Sequence, residues 1–227
     1  NGNQFFFTAN NYPSAPGSGY TNDIELYFSD GTAGGTYMLK DIYPGAANGS
    51  YPADFTVING TLYFTANTPT SGRELWKSDG TPNGTVLVKE LVNGPVGGFN
   101  TADQYGYYSH PFNVVYQNGN QFFFTANNYP SAPGSGYTND IELFFSDGTA
   151  GGTYMLKDIY PGAANGSYPS SFTVINGTLY FTANNPTSGR ELWKSDGTPN
   201  GTVMVKELVN GPVGGFNTAD QYGYYSH

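Results

Sequence analysis

The feature that most constrains this chain is that it is written twice. Residues 118–227 repeat residues 1–110 at an offset of 117, with five differences: Tyr27/Phe144, Ala53/Ser170, Asp54/Ser171, Thr68/Asn185 and Leu87/Met204. The fold must therefore be assembled from two equivalent blocks, residues 1–117 and 118–227. Each block divides again. Residues 25–32, 74–81, 142–149 and 191–198 read ELYFSDGT, ELWKSDGT, ELFFSDGT and ELWKSDGT, so consecutive octets lie 49, 68 and 49 residues apart. Internal repeats at such periods build solenoids, propellers or arrays, because one unit cannot bury its apolar face alone.

Each unit reads as four short strands. Residues 55–58 (FTVI) form strand A, and Asn59-Gly60 tolerates the positive φ of a tight hairpin. Residues 61–66 (TLYFTA) alternate apolar and polar as strand B, 74–77 (ELWK) form strand C, and 85–89 (TVLVK) form strand D. The DGT turn between C and D places an Asp where its carboxylate can accept nearby backbone N–H groups. Four antiparallel strands per unit is the make-up of a propeller blade. The expected fold is all-β, a β-propeller-like array of four four-stranded antiparallel units, closed or stacked as one domain. The sequence opens at the turn before a B strand. Fifteen strands are therefore expected, with the first unit lacking its A strand and exposing a B-strand edge, a template for a strand from a longer polypeptide or a neighbouring copy.

The two kinds of unit differ in where they are long. From the D-strand Lys to the A-strand Phe is 15 residues in one and 23 in the other, and from the B-strand Thr to the C-strand Glu is 9 or 17. The A-to-B step differs by only three residues. In a meandering blade the D–A and B–C links lie at one end of the sheet, so sixteen of the nineteen extra residues fall there. Long loops on one face of a rigid scaffold are where binding concentrates.

Composition narrows the classes. Aromatics make up 17% and charged residues 11% of the chain, the reverse of a disordered sequence. The net charge of −9, with eight Lys and Arg, lacks the dense basic surface that nucleic acid or an anionic membrane requires. No apolar run approaches the ~18 residues of a membrane span. With no cysteine, disulfide and thiolate chemistry are excluded.

The octets resemble the ELWxxDGT repeat family of bacterial secreted and surface proteins. Residues 74–81 match its signature in full, and Gly84-Thr85, Val88-Lys89, residues 62–66 and residues 41–45 (DIYPG) fit it as well. The octets at 25 and 142 depart from it by lacking Trp. The resemblance implies an extracellular, cell-surface, propeller-like module and no known catalytic residues.

Candidate sites follow. The histidines, His110 and His227, are one position seen twice, and no Ser-His-Asp set can be built around it. Asp23 and Glu25 form a carboxylate pair on one strand face, the residue type glycosidases use, but Glu and Asp are read as recurring at the same spots in every unit, which favours a structural role. The turn residues Asp30, Asp79, Asp147 and Asp196 offer a structural Ca²⁺ reading beside a turn-capping one. Asn48, Asn59, Asn83, Asn165, Asn176 and Asn200 head Asn-Gly-Ser/Thr sequons, open to glycosylation, and also make favoured turns. The long loops carry Phe99, Asp103, Tyr105, Tyr107, Tyr108, His110, Tyr129, Tyr137 and Asp140. Such rings suit sugars or another protein surface, or else they pack on one another to order the loops.

The sequence is thus read as a non-catalytic structural or adhesive module of a surface protein or filament. The alternative is a carbohydrate-binding propeller using the Tyr-rich face. The expected partners are other copies or adjacent repeats, with glycans under the alternative, and neither nucleic acid nor membrane. No cofactor is expected beyond structural Ca²⁺.

Overall fold

The computed structural model describes residues 4–11, 23–45, 49–92, 94, 97, 101–102, 108–109, 114–128, 140–162 and 166–211. The chain separates into two compact units, residues 1–100 and 101–227. The described residues contain strands and no helix.

In the first unit, β1 (Phe5–Asn10), β2 (Ile24–Ser29) and β3 (Thr36–Lys40) form a three-stranded sheet. β4 (Ala53–Ile58), β5 (Thr61–Thr68), β6 (Gly72–Ser78) and β7 (Val86–Lys89) form a four-stranded one. The second unit has a two-residue pair, β8 (Thr101–Ala102) with β9 (Tyr108–Ser109), and then two four-stranded sheets. These are β10 (Val115–Asn118), β11 (Gln121–Asn127), β12 (Ile141–Ser146) and β13 (Tyr154–Lys157), followed by β14 (Ser170–Ile175), β15 (Thr178–Asn185), β16 (Gly189–Ser195) and β17 (Val203–Lys206). All four larger sheets are antiparallel meanders in chain order, as the octet spacing predicts. The C strand starts earlier than its octet suggests, at Gly72 and Gly189, because Arg73 and Arg190 pair with Asn67 and Asn184.

The octet acts through a bulge. In every C–D pair the register slips between the octet's second and third residues: Leu75 faces Lys89 but Trp76 faces Leu87, and the other three sheets repeat the slip. The extra residue on the D strand is left outside the pairing. At Leu39, Val88 and Leu156 its side chain is buried.

Each unit holds its core between its two sheets. In the first, Leu26, Leu39 and Ile42 meet Leu62, Phe64, Ala66 and Trp76. In the second, Phe123, Leu143, Phe145, Leu156 and Ile159 meet Leu179, Phe181, Ala183 and Trp193. Both indoles are buried, and both Nε1–H groups lack an acceptor among the described residues. Polar ties cross the same interfaces. Tyr37 Oη donates to the Gly80 carbonyl at 3.2 Å and Lys40 Nζ to that of Thr85 at 3.0 Å; Tyr154 and Lys157 do the same to Gly197 and Thr202.

The three-stranded sheet is one strand short of the others. In the second unit, β10 pairs with β11, and Val115 packs against the cluster holding Phe123. Among the described residues nothing pairs with the outer edge of β1. Phe5 is 51% exposed, whereas its copy Phe122 is fully buried.

Candidate functional site

The site grows from the first three residues around the start of a C strand. The B–C link of the β10–β13 sheet leaves at Asn128 and returns at Asp140. Its root is clamped by Asn128 N donating to the Asp140 carbonyl at 2.8 Å and by Asn128 Nδ2 donating to Asp140 Oδ2 at 3.4 Å. Asn11 and Asp23 make the same clamp in the first copy.

Two residues on, and on the same face of the strand, Glu142 holds the D–A link. Its carboxylate accepts from Ile159 N, Tyr160 N, Ser167 N and Ser167 Oγ at 2.6–3.3 Å. Glu25 does the same for Ile42, Tyr43 and Ser50. The far end of the link is fixed by Arg190 Nη2 donating to the Tyr168 carbonyl, as Arg73 does to Tyr51, both at 2.9 Å. The long B–C link and the D–A link are thus rooted together at one end of the sheet.

Asp158, the first residue after β13, brings a third carboxylate to this point. One oxygen from each of Asp140, Glu142 and Asp158 lies within 4.8 Å of the others. Asp140 and Glu142 are fully buried and Asp158 is half-buried. Oδ1 of Asp140 and Oδ1 of Asp158 are buried without a hydrogen-bond partner among the described residues. Burial pushes the Glu142 carboxyl up to about 7 against the pull of its Ser167 and backbone donors. It lifts Asp140 to about 6, with the Asn128 amide pulling down and the Asp158 charge pushing further up. All four acceptor positions of Glu142 are used by donors from the link, so it is a staple and not an open catalytic acid.

Of the loop residues expected to bind, Asp140 is placed here, buried at the loop root. Phe99, Asp103, Tyr105, Tyr107, His110, Tyr129 and Tyr137 lie outside the described residues, and Tyr108 is placed only as part of β9. The turn residues Asp30, Asp79, Asp147 and Asp196 sit at the surface in four separate C–D turns. Oδ1 of each accepts from the N–H and hydroxyl of the Thr two residues on, as at Thr81, where the distances are 2.9 and 2.7 Å. Of the sequon residues, Asn59 and Asn176 occupy hairpin turns at φ 48° and 49°. Asn83 and Asn200 are exposed in C–D turns, and Asn48 and Asn165 lie outside the described residues.

Sequence reasoning missed Asp158 and its approach to Asp140 and Glu142. A signal was present: only units with the long B–C link carry Asp-x-Glu at the C strand with Lys-Asp after D. The other kind has Gly72 or Gly189 in place of the first Asp and Glu90 or Glu207 in place of the last.

No protein-family model and no curated protein matches this chain. Solved structures do. Puromycin hydrolase complexed with PGG is similar over 98% of this chain and 31% of its own, with a TM-score of 0.50 and 14% identity. An endo-arabinase from Bacteroides thetaiotaomicron gives 0.34 and 17% over 97% and 82% of the two chains. An α-L-arabinofuranosidase from Clostridium thermocellum gives 0.27 and 13%, over 92% of each. This chain spans about a third of the hydrolase's length. The likeness is one of fold, and the neighbours are propeller-like.

The likeness to puromycin hydrolase corrects two expectations. The chain was read as a non-catalytic structural or adhesive module, with a lectin as alternative, and as no enzyme. That reading rested on the repeat architecture, yet similar sheets occur in part of puromycin hydrolase. A repeated antiparallel scaffold is therefore no ground for excluding catalysis, since chemistry belongs to sites grafted on a fold.

Proposed function

We propose that this chain supplies blades to a β-propeller within a larger hydrolase, and that the end of the sheets bearing the long links is its substrate face. The observation that carries the reading is the double anchoring at that end. Asn128 and Asp140 close the root of the B–C link, and Glu142 pins the D–A link beside it. Loops that meet a substrate need fixed roots, because a loop free at its base must be ordered again at each encounter. The likeness to part of puromycin hydrolase supports a propeller segment of a larger enzyme. Kinship with the ELWxxDGT repeats belongs to the same proposal, supported by four octets that occupy equivalent strands and share one bulge.

The test offers the full polypeptide carrying these repeats fluorogenic amides, esters and glycosides. Turnover of one class is expected, falling about 100-fold when residues 129–139 are replaced by a short Gly-Ser link. Cooperative melting of that variant shows that the sheets survive. No turnover of any of the three classes overturns the reading.

A further inference from the structure

We propose that Asp140 and Asp158 hold a Ca²⁺ ion at the shared root of the two links, with Glu142 supplying charge from behind. Three carboxylates converge within 4.8 Å. Among the described residues, no lysine or arginine partners these carboxylates. Unpaired buried charge is costly, and proteins offset it with a counter-ion, a metal or a proton.

The orphan oxygens show where the ion belongs. Asp140 is 1% exposed; its Oδ2 accepts from Asn128, while its Oδ1 faces no donor. Asp158 Oδ1 is buried and equally without a donor. Buried acceptors left unmatched on two neighbouring carboxylates are rare in folded proteins. In the first copy Asp23 Oδ1 and Asp41 Oδ1 are likewise buried without a partner among the described residues. Glu142 differs because its lone pairs are already matched, so it lowers the potential at the gap without needing to enter the coordination shell.

The donor set selects the ion. The two groups that face the ion are both carboxylates, with no nitrogen or sulfur donor in the cluster, which suits a hard cation. Ca²⁺ accepts irregular sets of six to eight oxygens, whereas Mg²⁺ demands a near-octahedral shell that a loop root does not impose. Bound there, Ca²⁺ would cross-link the root of the B–C link to the first residue after β13.

The experiment uses the chelator-treated protein. Ca²⁺ is titrated by calorimetry, with Tb³⁺ luminescence as a second readout and Asp158→Asn, Asp140→Asn and Asp196→Asn as variants. The expected result is saturable binding and a higher Tm with Ca²⁺, one equivalent lost in Asp158→Asn and in Asp140→Asn, and no loss in Asp196→Asn, whose carboxylate only caps a turn. Two results overturn the proposal. One is no binding by the parent protein. The other is that Asp158→Asn raises the metal-free Tm while Ca²⁺ leaves the parent unchanged, which would show that a shared proton satisfies the two Asp residues.

Discussion

Asp79 and Gly84 face each other across the C–D turn so closely that a Cβ on residue 84 would lie 1.9 Å from Asp79 Oδ1. The same approach occurs at Asp30–Gly35, Asp147–Gly152 and Asp196–Gly201. The glycine is therefore part of the octet's mechanism: its missing side chain makes room for the carboxylate that the turn threonine caps. Gly84→Ala is expected to expel Asp79 and break its two hydrogen bonds to Thr81, at a cost of about 1–3 kcal/mol. In Asp79→Ala the clash has no partner, so adding Gly84→Ala there should cost much less. Urea unfolding of the four members of this cycle measures the coupling, and strict additivity would refute it.

The same turns predict an acid limb. Hydrogen bonds from the turn threonines hold the carboxyls of Asp30, Asp79 and Asp196 below the usual Asp range. A carboxyl depressed in the folded state contributes stability above its unfolded value, and that contribution is lost as pH falls through the folded value. The triple variant Asp30→Asn, Asp79→Asn, Asp196→Asn should show a flatter decline of Tm between about pH 5 and pH 2 than the parent. Parallel curves would mean that other carboxylates dominate acid unfolding.

The indoles should tolerate loss of their polar atom better than loss of their bulk. Trp76 packs on Phe64, with ring centroids 6.5 Å apart, and its Nε1 has no acceptor. Trp76→Ala is expected to cost about 3–5 kcal/mol, through the cavity it leaves. Trp76→Phe removes the unsatisfied N–H along with part of the ring and should cost less than half as much. Chemical denaturation of both variants distinguishes them, and equal costs would show that the N–H is satisfied in solution.

The outer edge of β1, which has no partner among the described residues, should accept a strand of defined sequence. β10 shows the geometry, with Val115 opposite Phe123 and Tyr116 opposite Phe122. A chain with the sequence of residues 111–117 joined ahead of Asn1 is expected to melt higher and to protect the amides of Phe5–Asn10 from hydrogen exchange. Unchanged exchange there would show that the edge is already covered in solution.

The strands were legible because their information is local. Alternation in residues 61–66, the Asn59-Gly60 turn and the DGT turn each act over a few residues, and they gave β5, β4 and the C–D corner. The start of β6 was not legible. Arg73 looks like a surface charge, but it is buried where its guanidinium reaches Thr65 and Tyr51, and desolvation pulls it down to about 10. The acidic cluster was harder still. Asp140 and Asp158 are eighteen residues apart and meet only because β12 and β13 pair with a slipped register. Treating each Glu as one repeated structural residue was sound for its hydrogen bonds, yet it hid the neighbour that makes two of the four different.

The identity of β1 and the core of β11 also matters before the sheets exist. A nascent β10 segment meets two equally good partners, FFFTAN at residues 5–10 and at 122–127. Their side chains cannot discriminate, so the choice falls to chain entropy. The correct partner is reached through a two-residue turn between Asn118 and Gln121, a hairpin that closes in about 1–10 μs. The rival lies more than a hundred residues upstream, behind a far longer loop closure. Lengthening that turn would slow the correct closure alone, and refolding would then divide between the native pairing and an exchanged one.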